Sequence, residues 1–187
     1  HELKALQSYT EESNHINTGL IHSGGNVAKA EAKHADNTGE YVNLEHLDSG
    51  IAKHTLPKMT LHSGVNFDPG EISKKTKGVF KTSAYTSTST NPGDAQFFAR
   101  PQYKNEDEWN RHILNIHVPQ GHAGIYLGNR KDGSKMTGTD EHEVLLPRNL
   151  TYKIASNPKI IKDGTDNIHI WDAHIVPHGV DPHKWEP

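Results

Sequence analysis

Apolar positions follow a helical spacing in the first third of the chain and a strand spacing after it. Residues 1–22 set Leu3, Leu6, Ile16 and Leu20 among polar neighbours, which predicts a helix interrupted near Ser8–Thr10. Residues 23–40 are small and polar and read as a loop with one helical stretch at Val27–His34. Over residues 41–56, Leu44, Leu47, Ile51 and Ala52 recur at helical steps, and Pro57 sets the limit of that helix. Beyond it, short β-like runs alternate with Gly, Pro and Asn: Lys58–Val65, Val79–Thr90, Arg111–Val118, Ala123–Leu127, Glu143–Leu146, Thr151–Asn157 and Asn167–Val176. One helix interrupts them at Asp94–Arg100, signalled by Asn91-Pro92-Gly93-Asp94 with proline in a first turn. Helices first and strands afterwards imply an α+β fold with a two-sheet core. The expected organisation is a single domain over 1–187: a helical part to about residue 56, a β part to about 177, and an irregular tail over 178–187.

Composition narrows the function. Lys plus Arg is 20 and Asp plus Glu is 23, a net charge of −3. That balance argues against a general nucleic-acid binder, so nucleic acid enters only as an acceptor or through a target. No apolar run approaches the roughly 20 residues of a membrane span. Cysteine is absent, which excludes disulfides and a thiol nucleophile. The chain begins with His1, so a processed or excised piece is expected. Histidine is abundant, 15 in all, scattered from His1 to His183, and reads as surface polarity.

Three segments carry candidate chemistry. In Glu141-His142-Glu143-Val144-Leu145-Leu146-Pro147, strand geometry projects Glu141 and Glu143 to one face, about 6.5–7 Å apart. They form either a carboxylate pair at a cleft rim or an ordinary exposed edge. In Tyr85-Thr86-Ser87-Thr88-Ser89-Thr90, Ser87 and Ser89 share a face, suited to holding a carboxylate or a ribose, or simply to strand propensity. In Met59-Thr60-Leu61-His62-Ser63-Gly64-Val65, His62 is either a donor to a ribose or phosphate or a structural strand-end histidine. Gly64 permits a tight turn or close ligand approach.

The order and spacing of these segments resemble the ADP-ribosyltransferase fold, in the branch that carries an Arg, a Ser-Thr-Ser and a Glu-x-Glu on successive core strands. His15–Leu20 is similar to that branch's I-N-x-x-L helix, and Leu44–Leu56 to the helix leading into its first core strand. Ser87-Thr88-Ser89 matches the Ser-Thr-Ser, with Tyr85 at the aromatic position before it. Asp94–Ala99 resembles the A-x-x-F-A helix, Ile113–Gly121 the strand-Pro-x-Gly segment, and Glu141–Pro147 the E-x-E-V-L-L-P. Similar domains occur in bacterial exotoxins and in proteins that bacteriophages inject with their DNA. The His-rich, Cys-free texture and Ile168–Ala173 look more phage-like. One departure stands out: His62 occupies the place of the family's Arg, as in the branch related to diphtheria toxin, where a His contacts the adenosine ribose.

The resemblance implies cleavage of the nicotinamide–ribose bond of NAD, used as substrate, with no metal. It implies Glu143 as the carboxylate that stabilises the developing ribosyl cation, Ser87 as the residue that orients it, and Glu141 facing the acceptor, most simply an arginine of a host target protein. His62, Ser63, Gly64, Ser87, Thr88 and Ser89 are the implied NAD-binding set. The loop Gly128–Asp140 would set target specificity, and Pro101–Asn110, with Tyr103 or Trp109, would lie toward nicotinamide. The implied setting is delivery into a host cell and action in its cytoplasm, with no membrane span. The rivals are an NAD glycohydrolase, a catalytically silent NAD-fold module, and a metal-binding β-protein such as a cupin. His112/His117 and His169/His174 are spaced by five residues, which puts each pair on opposite strand faces and argues against the last.

Overall fold

The computed structural model describes residues 1–38, 42–99, 102–105, 108–128 and 142–187, apart from the side chains of 36–38, 102–105 and 108. The helical part comes first: α1 (Glu2–His22), α2 (Val27–Thr38) and α3 (Leu44–Ala52). Then follow β1 (Met59–Val65), α4 (Pro69–Thr76), β2 (Val79–Lys81), β3 (Thr86–Ser89), α5 (Pro92–Phe98), β4 (Gln102–Asn105), β5 (Glu108–Val118), β6 (Ile125–Tyr126), β7 (Glu143–Leu146), β8 (Thr151–Ile154), β9 (Lys159–Asp163) and β10 (Asp166–Ile175). This is the expected α+β order.

Local chemistry explains the helix limits. Asn43, Asp68 and Asn91 each cap a helix, their side-chain oxygens accepting from backbone N–H groups of His46, Gly70 and Gly93. Pro69 and Pro92 sit in the first turns of α4 and α5. The predicted interruption of the first helix falls slightly later, as a kink at Glu12 (φ −123°, ψ 20°). The helix α4 and the strand β9 were not expected. The first buries only Pro69, and every residue of the second is exposed, so neither writes a periodic apolar pattern. The run Val79–Thr90 is two strands, because the chain turns through Ser83 and Ala84 between β2 and β3.

The strands hydrogen-bond in the order β2-β8-β10-β5-β1-β3-β7-β6, with β4 on β5 and β9 on β10. The expected two sheets are thus one: β1 pairs with both β5 and β3 and joins the layers. In a flat sheet β8 and β3, four steps apart, would lie about 19 Å from each other. Yet the Tyr152 hydroxyl of β8 and Thr86 Oγ1 of β3 are 2.9 Å apart. The sheet therefore curls until one face closes around Leu61, Leu114, Ile116, Val144, Leu146, Tyr152, Trp171 and Ala173. On the other face, α1 and α3 pack Tyr9, Ile16, Leu20, Leu47 and Ile51 with Tyr85 and Leu145, while α5 sets Ala95 and Ala99 on Ile113 and Ile168.

Four histidines pair across β5 and β10, whose parallel register sets His169 beside His112 and His174 beside His117. Their ring centroids are 5.0 and 4.4 Å apart. The five-residue spacing does divide them between faces, but their partners lie on the neighbouring strand. His112 is buried, and its Nδ1 accepts from Trp171 Nε1 at 3.3 Å. Burial holds this imidazole below the usual histidine value, and His169 adds to the shift while Asp68, 4.0 Å away, opposes it. The unfolded chain, titrating near pH 6.5, takes up this proton first, so the contribution to stability is complete above that pH and lost as pH falls below it. Melting temperatures at pH 8 and pH 5 should show a smaller acid-induced drop for His112→Asn than for the native chain.

Candidate active site

The three antiparallel strands β1, β3 and β7 set the site's geometry. His62 is in register with Ser89, Ser89 with Glu143, and on the other side His62 with Asn115 of β5. Directly paired residues share a face, so Asn115, His62, Ser89 and Glu143 form one polar row across four strands. Ser87, two residues along β3, lies on the same face. That face is walled by α5 on one side and by Tyr9 of α1 on the other.

Asn115, His62 and Ser89 are held by hydrogen bonds. His62 Nδ1 donates to Asn115 Oδ1 at 2.8 Å. Ser89 is buried; its hydroxyl donates to Asp94 Oδ2 at 2.8 Å and accepts from the Asn91 N–H at 2.9 Å. Its hydrogen bonds therefore fix the turn into α5. Ser87 is exposed, and its Oγ lies 3.2 Å from the Tyr9 hydroxyl. Glu143 is half-buried, and its charge, after burial itself, helps hold the Tyr9 phenol above the ordinary tyrosine value. His142, the residue before Glu143, approaches Asp94 at 3.5 Å, tying the start of β7 to α5.

Three residues of the implied NAD-binding set sit elsewhere. Ser63 and Thr88 are buried on the opposite face, because the pleat sends alternate residues inward. Ser63 Oγ donates to the Ser87 carbonyl at 2.9 Å and Thr88 Oγ1 to the Val144 carbonyl at 2.6 Å, stitching the three strands together. Gly64 faces α5: a Cβ there would stand 2.3 Å from the Ala95 carbonyl oxygen and 2.5 Å from Ala99 N. Its lack of a side chain serves helix packing. Glu141, Arg100, Pro101 and the loop over 129–140 lie outside the described residues, as does the Tyr103 side chain. Trp109 is partly exposed in β5, opposite Asp166 of β10.

Sequence reasoning missed Asn115, Tyr9, Asn17 and Asp94. Asn115 left one readable trace, a polar residue between Leu114 and Ile116. Tyr9 shared the helical phase of core residues and left none. The two described arginines are both engaged, Arg111 Nε with Asp166 and Arg148 bidentately with Asp48. Among the described residues no group of three His, Cys, Asp or Glu is placed to hold a metal.

The model of the ADP-ribosyltransferase exoenzymes matches residues 1–176. The chain belongs to that family. It is accordingly an ADP-ribosyltransferase that uses NAD as substrate. Solved structures share the exoenzyme fold at low identity. C3stau2 from S. aureus, solved with NAD, is 21% identical with a TM-score of 0.65, over 94% of this chain and 86% of that one. Plx2a, a toxin from Paenibacillus larvae, is 23% identical with a TM-score of 0.62, over 94% and 86%. Vis, from Vibrio splendidus and solved with agmatine, is 21% identical with a TM-score of 0.59, over 95% and 74%. No curated relative matches the chain. No helix among the described residues is long and apolar enough to cross a membrane.

The exoenzyme's glycine at 64 yields a test. Gly64→Ala forces a methyl group into α5 backbone and should cost about 1–3 kcal/mol of stability. Thermal unfolding should show a clearly lowered midpoint; an unchanged midpoint would mean that α5 is not seated on β1 as described.

Proposed function

We propose that the chain transfers a single ADP-ribose from NAD to an arginine of a target protein, with Glu143 as the catalytic carboxylate. The observation that carries this reading is the row Asn115–His62–Ser89–Glu143 on one strand face beside Ser87. It gathers a half-buried carboxylate, an exposed hydroxyl and an imidazole on one face.

The chemistry follows from charge. The C1′–N bond of NAD breaks with its electron pair leaving on the nicotinamide nitrogen, which neutralises the pyridinium. Positive charge then develops on the ribose, as in glycoside hydrolysis. Glu143 stabilises that charge more in the transition state than in the ground state, which is what lowers the barrier. Ser87 orients the carboxylate. A guanidinium nitrogen of the acceptor attacks C1′ and loses a proton, for which Glu141 is the proposed base. Agmatine, bound in the Vis structure, carries the same guanidinium group and supports arginine as the acceptor class.

His62 is proposed to meet the ribose or phosphate of NAD. It cannot supply the permanent bidentate charge of an arginine. Both described arginines are ion-paired, Arg111 with Asp166 and Arg148 with Asp48. His62→Ala should raise KM for NAD about tenfold while changing kcat less.

The deciding experiment measures nicotinamide release and transfer of labelled ADP-ribose to protein, for the native chain and Glu143→Gln. Removing the carboxylate's charge should lower turnover by about 100-fold or more. Label on protein arginine supports the transferase; release without label would replace it with a glycohydrolase. Turnover unaffected by Glu143→Gln would overturn the assignment, and its absence in the native chain would mean a silent module.

A further inference from the structure

Behind Ser87 lies a chain of hydrogen bonds that the reaction as described does not use. Tyr9 is completely buried among the side chains where α1 packs on α3 and the sheet. Its ring meets Tyr85 edge-on, centroids 5.4 Å apart. A phenylalanine would fill that space equally well, so packing does not require the hydroxyl. The hydroxyl emerges at the edge of the core and lies 3.2 Å from Ser87 Oγ. Asn17, two turns further along α1, closes the other side, with Nδ2 donating to the Tyr9 hydroxyl at 2.9 Å. The Tyr85 backbone N–H donates to Asn17 Oδ1 at 3.2 Å.

The direction of the two Asn17 bonds is fixed. A backbone N–H only donates, so the Asn17 atom facing it must be the amide oxygen. The amide nitrogen then faces Tyr9, and it too only donates. Either hydroxyl could donate between Tyr9 and Ser87, but a phenol that also accepted from Ser87 would leave its own buried hydrogen without either of these partners, which favours the phenol as donor. Ser87, having accepted there, has its own hydrogen left to give. Glu143 is one strand away: Ser89 pairs with it, and Ser87 pairs with Leu145, two residues along β7. Burial and the Glu143 charge both disfavour ionisation of Tyr9, so the phenol remains a donor at any working pH.

We propose that Tyr9 and Asn17 are positioning residues, a relay from β3 backbone through α1 that polarises Ser87 so that its hydroxyl donates toward the Glu143 carboxylate. This rests on the reading of Glu143 as the catalytic carboxylate. The relay makes α1 part of the reaction machinery, coupling the helical layer to the strand that carries the hydroxyl. A carboxylate aimed by a hydroxyl whose hydrogen is biased toward it is held in one orientation, which is worth more in the transition state than in binding.

The test is a double-mutant cycle read by nicotinamide release. Tyr9→Phe should lower kcat about tenfold with KM for NAD within about twofold, because Tyr9 is completely buried behind Ser87 and leaves the Ser87 hydroxyl in place. Ser87→Ala should cost at least as much, and Tyr9→Phe/Ser87→Ala no more than Ser87→Ala alone, since Tyr9 acts through that hydroxyl. Asn17→Ala, which leaves the ring in place, should reproduce part of the Tyr9→Phe effect and guards against a folding defect in the first variant. Melting temperatures and circular dichroism accompany each variant. Native kcat in folded Tyr9→Phe, or losses that multiply in the double variant, would overturn the relay. Turnover that depends on Glu143 but not on Tyr9 would overturn the relay alone. A fully active Glu143→Gln, or a native chain without NAD turnover, would overturn both the relay and the reading beneath it.

Discussion

The pairing of β1 with β3 and of β3 with β7 is the constraint on which the rest of the molecule depends. Because side chains alternate along a strand, a slip of one residue would bury His62 and Glu143 and expose Leu61 and Val144. The register is pinned from the buried side, where Ser63 bonds the Ser87 carbonyl and Thr88 bonds the Val144 carbonyl. The small hydroxyl residues that look like ligand-binding groups in the sequence are therefore divided by the pleat. Ser63 and Thr88 hold the strands in place, Ser89 holds the turn into α5, and Ser87 is exposed.

The curl of the sheet makes this economical. The bond between Tyr152 and Thr86 closes one face into a core, so the opposite face of the same strands is left for helices and chemistry. Each helical layer covers one part of that face. The N-terminal helices cover Leu145 and Tyr85, and α5 covers Ile113 and Ile168. The polar row runs from β5 to β7 on that face, with Ser89 bonded to the start of α5. Gly64 allows α5 to approach β1, and Asp94 at the start of α5 receives Ser89. Helix placement and site geometry are thus set by the same few residues.

Much of this was legible in the chain. The helix-then-strand order follows from apolar spacing, and Asn91-Pro92 announced α5 because the capping chemistry is local. Glu143, Ser87 and His62 could be read as one constellation because each lies on a short strand of recognisable pattern. What stayed hidden depends on contacts between distant segments. Asn115 meets His62 only through the β1–β5 register, and Tyr9 meets Ser87 only because α1 packs where it does. The joining of two expected sheets into one was likewise invisible, since pairing partners are not written in local periodicity. The assignment of Ser63, Thr88 and Gly64 to ligand binding came from treating neighbouring residues as a unit, where the pleat and α5 separate them.

Family membership fixes the type of chemistry, and the departure at His62 makes the location of NAD the point on which the account turns. A structure of the chain with NAD tests it most directly. The account predicts the nicotinamide ribose within hydrogen-bonding distance of Glu143 and Ser87, and the remainder of NAD running past His62 along the face between α1 and α5. NAD bound away from that face, or with its ribose out of reach of Glu143, would contradict it.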